Sequence, residues 1–236
     1  MKHMTNPVKG SELERGVRAG IPIALGYIPL AITFGVLARA SGLGVGIAAM
    51  MSVVIYSGAS QFLTVGLVTA GAPPISILVT NLVLNLRHVI LSTSLARRYP
   101  LNKRLPAAVV SFGITDETFV VASNEKSARL STGFLLGLNA TAYLSWIAGT
   151  MAGAIFAGWI PADWSSSLGV ALYAMFIALL VPDMTKSAQV SAVAVVAALL
   201  SWALHDVLGS GWSVVAATLL AALVGTMLDR KRVNPS

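Results

Sequence analysis

From residue 19 onward the sequence is tiled by apolar stretches, and no gap between them is long enough to hold a separate soluble domain. A helix that spans a bilayer needs about 20 predominantly apolar residues. Windows of that kind fall roughly at 19–38, 43–71, 74–95, 107–122, 131–158, 166–182, 187–206 and 211–228. Only 11% of the 236 residues are charged and 56% are hydrophobic, against roughly 25% charged in an ordinary soluble domain. The lipid bilayer is therefore the expected solvent, and a soluble globular enzyme is excluded. The formal net charge of +7 reads as the Lys/Arg excess of cytoplasmic loops in membrane proteins. A nucleic-acid interface is not expected, because zinc-ligand spacing and a polar recognition helix are both missing. The absence of cysteine removes disulfides, thiolate metal sites and cysteine nucleophiles. The polar first ten residues do not read as a cleavable leader.

Two windows depart from ordinary spans. The 43–71 stretch carries Tyr56-Ser57-Gly58-Ala59-Ser60-Gln61-Phe62 at its middle, polar and small where lipid favours leucine. The 107–122 stretch is short and contains Thr115, Asp116 and Glu117. Charge placement tests whether they cross. Basic residues cluster at 9–18, 97–104, 126–129, 186 and 230–232. If every window crosses once, the 97–104 cluster falls on the outer side while the basic N-terminus stays inside. If 43–71 enters from outside and returns, and 107–122 enters from inside and returns, every cluster lands in the cytoplasm. Only Arg39 and Arg87 then need a separate account. The expected fold is an all-α polytopic membrane protein with about six full transmembrane helices plus two broken or re-entrant helical elements. Eight ordinary spans are the alternative. One membrane domain is expected over 1–236: a cytoplasmic N-terminus at 1–18, a bundle at 19–228 and a cytoplasmic tail at 229–236. Broken backbone at membrane depth is tolerated where it lines a cavity, and transporters build their binding sites from it.

A charge at a helix centre costs about 2.5–3.5 kcal/mol even on insertion scales, so the polar residues in these windows are candidate sites. Asn81, Asn85, Arg87 and His88 share one window, and Arg87 lies about 12 Å along it from Leu95. Counted from Ala107, Asp116 lies about 13 Å deep if helical. Both clusters hang from one cytoplasmic loop at matching depth. A carboxylate at 116 or 117 is thus expected to pair with Arg87, with His88 close by. The pair can hold helices in register, or serve as a proton relay or coupling site, and the two roles are compatible. Ser57, Gly58, Ser60 and Gln61 offer uncharged donors and acceptors around a backbone break. The N-terminus of a half-helix there suits a carboxylate, and close helix packing is the competing use of such small residues.

The remaining features are weaker. Gly149 and Gly153 form a close-packing pattern. Asn139 reads as an interhelical hydrogen-bond donor, Pro182-Asp183 as a loop and N-cap, and His205-Asp206 as an interface cap. The five tryptophans, with Trp159 and Trp164 in one outer loop, read as interface anchors. Metalloprotease, serine-hydrolase and phosphate-loop motifs are absent, so no enzymatic activity, metal or cofactor is expected.

Together these motifs give a specific resemblance. Gly26-Tyr27-Ile28-Pro29, the Tyr56–Phe62 run, Arg87-His88, Phe112-Gly113-Ile114-Thr115-Asp116-Glu117 and Ser145–Thr150 make the chain similar to the AzlC-type family over roughly residues 15–230. That family comprises the large subunits of branched-chain amino acid exporters. The resemblance implies export of leucine, isoleucine and valine, and in some members methionine, beside a small hydrophobic AzlD-type subunit in the bacterial inner membrane. It implies an ion gradient as energy source. The chain departs from the family at Ser57, where members can carry alanine, and at Asn85, where members can carry aspartate. Loss of that acid leaves Arg87 more dependent on Asp116 or Glu117. The expected function is proton-coupled secondary transport. Tyr56, Ser57, Gly58, Ser60, Gln61, Asn81 and Asn85 would frame the substrate, and Arg87, His88, Thr115, Asp116 and Glu117 would form the gating network. A channel for small neutral solutes and a scaffold subunit without its own transport site are the alternatives.

Overall fold

The computed structural model describes residues 11–99, 104–125, 127, 129–159, 177, 180–181 and 184–233. The 160–164 part of the tryptophan loop, most of the 166–182 window and Pro182-Asp183 lie outside the described residues. Within them the regular structure is helical, in the order α1 (Glu12–Ala40), α2 (Val45–Val54), α3 (Gly58–Thr69), α4 (Pro74–Ala96), α5 (Arg104–Phe112), α6 (Asp116–Asn124), α7 (Thr132–Phe156) and α8 (Ala188–Val233). α1, α4, Thr132–Trp159 and Ala188–Gly209 are long and apolar enough to cross a membrane. The chain is an all-α polytopic membrane protein. α8 merges the windows expected at 187–206 and 211–228, with a break at Gly209, whose φ is 75°.

The bundle is built on a parallel contact between α1 and α7. Ser11 and Ser131 cap their N-termini, accepting from Glu14 N at 3.2 Å and from Phe134 N at 3.1 Å. Side chains along the seam are missing where the backbones meet. A methyl group at Gly16 would sit 2.0 Å from Phe134 O, and one at Gly35 would sit 2.2 Å from Thr150 O. From the other side, Gly137 faces Leu13 O at 2.3 Å and Gly153 faces Ile32 O at 2.1 Å. The partners advance together along both helices, which makes the pair parallel. In lipid, where apolar burial gives no net drive between helices, close packing of small residues supplies the attraction.

Both unusual windows double back. Ser52 in α2 accepts a hydrogen bond from the Gln61 Nε2 of α3 at 2.9 Å. At about 1.5 Å per residue a straight helix would hold those residues roughly 13 Å apart, so the chain reverses at 55–57. Tyr56 stands at the turn with φ 43°, a left-handed conformation that costs a non-glycine residue about 1–2 kcal/mol. α3 then runs antiparallel to α4, with Thr64 against Asn81 and Ser60 against Asn85. The second hairpin enters from the opposite end. α6 starts beside Tyr27, midway along α1, and its last residues reach Arg15 in the first turns of α1. α5 begins five residues after Tyr99, at the same end as the close of α4, and meets α6 at Gly113–Thr115. That window is thus two nine-residue half-helices.

The end of α6 is fastened by Arg98. Its guanidinium donates to Ala122 O (3.3 Å), Ser123 O (2.7 Å), Glu125 O (2.6 Å) and Ser127 O (2.5 Å), meeting the carbonyls a helix C-terminus leaves unpaired. Arg39, at the other end of the bundle, closes the C-terminus of its own helix by donating to Leu43 O at 3.2 Å.

The seam makes a direct prediction. Gly153→Val should lower the thermal unfolding midpoint of the purified protein markedly, because overpacking a tight contact costs about 1–3 kcal/mol or more. Gly26→Ala, where a methyl group meets nothing within 4 Å, should leave the midpoint unchanged or raise it.

Candidate functional site

The tips of the two hairpins meet midway along α1 and enclose a small cavity of about 50 Å³, lined by Tyr27, Leu30, Tyr56, Ser57, Gly58, Ala59, Arg87, His88, Thr115, Asp116, Glu117 and Trp146. One water needs about 10–15 Å³ of such space, so the cavity as it stands has room for a few waters. An aromatic cluster bridges them. Tyr56 of the first tip packs edge-on against Tyr143 with centroids 4.8 Å apart, and Phe112 of the second tip lies 5.8 Å from the same ring. Tyr143 also donates to Val53 O at 2.8 Å, meeting a carbonyl at the end of α2.

Two half-helix N-termini face this space, and they differ. The α6 terminus is satisfied by its own sequence. Thr118 N donates to Thr115 Oγ1 at 3.3 Å, Thr115 N donates to Thr118 Oγ1 at 2.8 Å, and Asp116 and Glu117 occupy the first turn. Carboxylates there are favoured by the helix dipole. The α3 terminus is open. Its cap residue Ser57 makes no capping hydrogen bond and no acid lies in the first turn. Ser57 and Tyr56 are each 4% exposed, and their hydroxyls have no hydrogen-bond partner. The first bond of the helix runs from Gln61 N to Ser57 O, so the N–H groups of Gly58, Ala59 and Ser60 precede it.

Arg87 and Asp116 form an ion pair at 2.7 Å, with about a third of each side chain exposed. The Tyr27 hydroxyl lies 2.5 Å from Glu117 Oε2 and 2.8 Å from Thr115 Oγ1, tying the second tip to α1. His88 is partly buried on the wall beside Arg87.

Of the residues expected to frame a substrate, Tyr56, Ser57 and Gly58 line the cavity, whereas Ser60, Gln61, Asn81 and Asn85 lie behind it. Ser60 Oγ donates to Asn85 Oδ1 at 3.1 Å, and Asn81 Nδ2 donates to Thr64 Oγ1 and Ile77 O at 2.9 and 2.8 Å. The Gln61 amide is buried, accepting from Trp146 Nε1 at 2.8 Å and donating to Ser52, whose hydroxyl lies 2.8 Å from Thr150 Oγ1. These side chains bond within the protein and tie the hairpin to its neighbours, with Asn81 Oδ1 left buried and unpartnered. Arg87, His88, Thr115, Asp116 and Glu117 all reach the cavity.

Tyr27, Leu30 and Trp146 also line the cavity and are not among the residues the sequence points to as a site. Trp146 was grouped with the interface anchors. It is 3% exposed and stands under Gly58, where an added methyl group would meet its ring at 2.7 Å. Trp159 and Trp202 are exposed, at 84% and 79%. A signal existed in the spacing of Asn139, Tyr143, Trp146 and Thr150, which places all four on one face of α7. Asn139 bridges helices as expected, donating to Val110 O at 3.0 Å.

Residues 22–160 match the model of the AzlC protein family. The chain belongs to the AzlC family. It is 34% identical over 223 residues to an uncharacterized membrane protein of Archaeoglobus fulgidus, covering 94% of this chain and 95% of that one. It is 29% identical to the inner membrane protein YgaZ of Escherichia coli, over 76% of this chain and 77% of that protein. It is 24% identical to the branched-chain amino acid transport protein AzlC of Bacillus subtilis, over 70% and 65% of the two chains. No solved structure matches. Membership of the AzlC family gives the chain a transport role in the membrane.

The geometry separates polar groups bonded within the bundle from those that face the cavity in this AzlC-family protein. Gln61→Leu should destabilise it by about 1–3 kcal/mol, since it orphans Trp146 Nε1 in a buried site. Ser57→Ala removes a hydroxyl with no protein partner and should leave the unfolding midpoint within about 0.5 kcal/mol of the parent. Thermal unfolding of the two purified variants checks both.

Proposed function

We propose that this AzlC-family protein is a secondary transporter that exports branched-chain and other neutral apolar amino acids, in exchange for protons and together with a small AzlD-type subunit. The observation that carries the proposal is the pairing of unlike helix N-termini across one cavity. The α3 terminus, open and flanked by two unpartnered hydroxyls, suits a carboxylate. The α6 terminus, loaded with Asp116 and Glu117, suits an ammonium. Leu30, Ala59 and Trp146 supply an apolar wall for the side chain. The printed name of the Bacillus subtilis relative supports branched-chain substrates, and the small subunit is carried over from the family resemblance.

Proton coupling draws on the titratable groups around the cavity. Asp116 and Glu117 come from α6, His88 from α4, Tyr27 from α1 and Tyr56 from the first tip, with the Arg87 cation among them. Orientation follows from charge. Arg15, Arg18, Arg97, Arg98 and Arg129 gather at the end where α1 begins, and Arg39 lies at the other. The positive-inside bias puts the first end in the cytoplasm, with the Arg230–Arg232 tail on the same side. The name of the Escherichia coli relative supports a bacterial inner membrane.

Reconstitution with the small subunit tests the function. Vesicles preloaded with leucine should accumulate labelled leucine by counterflow, and an imposed pH gradient should accelerate net efflux. A pore gives no counterflow, and if this chain only assembles the small subunit, counterflow of the complex survives substitution of Asp116. Asp116→Asn should slow efflux at least about tenfold through loss of a charge-assisted contact; unchanged efflux would remove the site assignment. Equal rates with and without the gradient would remove the proton claim. Single cysteines placed at Gly42 and Arg97 of this cysteine-free chain should label with impermeant reagent from opposite faces, Gly42 from outside. Outside labelling at 97 would invert the topology.

A further inference from the structure

We infer that the Arg87–Asp116 ion pair is the resident occupant of the site, into which the substrate inserts as a zwitterion, so that an α-amino group and an α-carboxylate are both required. The inference rests on the amino acid transport reading above and deepens it. The chain contains a contrasting arginine that shows what a permanent clamp looks like. Arg98 donates to four backbone carbonyls and leaves little of its fork unused. Arg87 meets Asp116 through Nη1 and Oδ2 at 2.7 Å, and its Nε is buried without any partner. A guanidinium can engage a carboxylate through two parallel bonds that use its full fork. An unused Nε, with about a third of each side chain open to the cavity, leaves this pair free to separate.

Charge balance says what can separate it. Parting a pair at membrane depth leaves two uncompensated charges, which is strongly unfavourable unless each finds a new partner. A neutral solute supplies neither, and a simple cation or anion supplies one. A zwitterion supplies both. Its ammonium takes the place of Arg87 on Asp116. Its carboxylate meets the released guanidinium on one oxygen and the open α3 terminus with Ser57 Oγ on the other. A carboxylate has acceptor sites for both sets of donors. The zwitterion adds no net charge to the cavity, and each charge it parts is met by one of its own. Asp116 stays supported throughout by its place in the first turn of α6.

The experiment compares leucine with two probes that each lack one charge, 3-methylbutylamine and 4-methylpentanoate, as competitors of labelled-leucine exchange by the full chain reconstituted with its small subunit. Each lost ionic contact should weaken competition about tenfold to a hundredfold relative to leucine. If either probe competes within about threefold of leucine while leucine itself exchanges, the insertion model is overturned and the transport reading stands. If the wild-type protein exchanges no leucine, the transport reading fails, and the inference with it. A double variant, Arg87→Met with Asp116→Leu, separates insertion from a merely structural pair. Apolar replacement of both partners of an ion pair removed from bulk water is tolerated in stability, so the unfolding midpoint should stay near the parent's while leucine exchange falls at least about a hundredfold. A double variant that exchanges leucine at more than about half the parental rate would show that the pair serves only to hold α4 to α6.

Discussion

Everything in this molecule hangs on the parallel contact of α1 with α7. The glycines along its seam let two backbones touch, and that closeness makes one rigid wall from helices far apart in sequence. The wall then presents polar arms at regular depth. Asn139, Tyr143, Trp146 and Thr150 of α7 reach Val110, Val53, Gln61 and Ser52. Tyr27 of α1 reaches Thr115 and Glu117. Each arm satisfies a backbone or side-chain group in a hairpin that lipid would leave unpaired. Irregular backbone at this depth survives only under such cover.

The cover is complete on the second hairpin and incomplete on the first. Thr115 and Thr118 close the α6 terminus reciprocally, and the acids of its first turn answer its dipole. At the α3 terminus the same physical needs are left open, with Ser57 and Tyr56 buried and their hydroxyls unpartnered. An unpaired buried hydroxyl costs about 1–3 kcal/mol, and a tyrosine in the left-handed region adds to that. The left-handed residue and two unpartnered hydroxyls sit together at one tip, beside the Arg87–Asp116 ion pair. That concentration gives the cavity its chemical direction, donors on one side and carboxylates on the other.

Much of this was legible before any coordinates. The conflict between eight crossings and the basic cluster at 97–104 favours 43–71 and 107–122 segments that turn back over eight ordinary spans. The meeting of Arg87 with Asp116 followed from two charged clusters at equal depth on either side of one loop. What stayed hidden was the direction in which neutral side chains point. An amide that faces a cavity and an amide that faces a tryptophan look alike in sequence, so the pattern alone does not show that Gln61 bonds Trp146 and Asn85 bonds Ser60. Trp146 misled for the converse reason. Tryptophan is commonest at membrane interfaces, and only its register with Asn139, Tyr143 and Thr150 marked it as inward.

The clamp at Arg98 has a mechanical consequence. It pins the base of α6 by four carbonyls, while the tip of that helix is held by the Tyr27 hydroxyl and one ionic contact. α6 is thus a lever with a fixed fulcrum and a lightly latched end. Its nine residues give an arm of about 13 Å, so a tilt of roughly 15° carries Asp116 through about 3.5 Å. That travel is enough to turn a bonded carboxylate into a separated one.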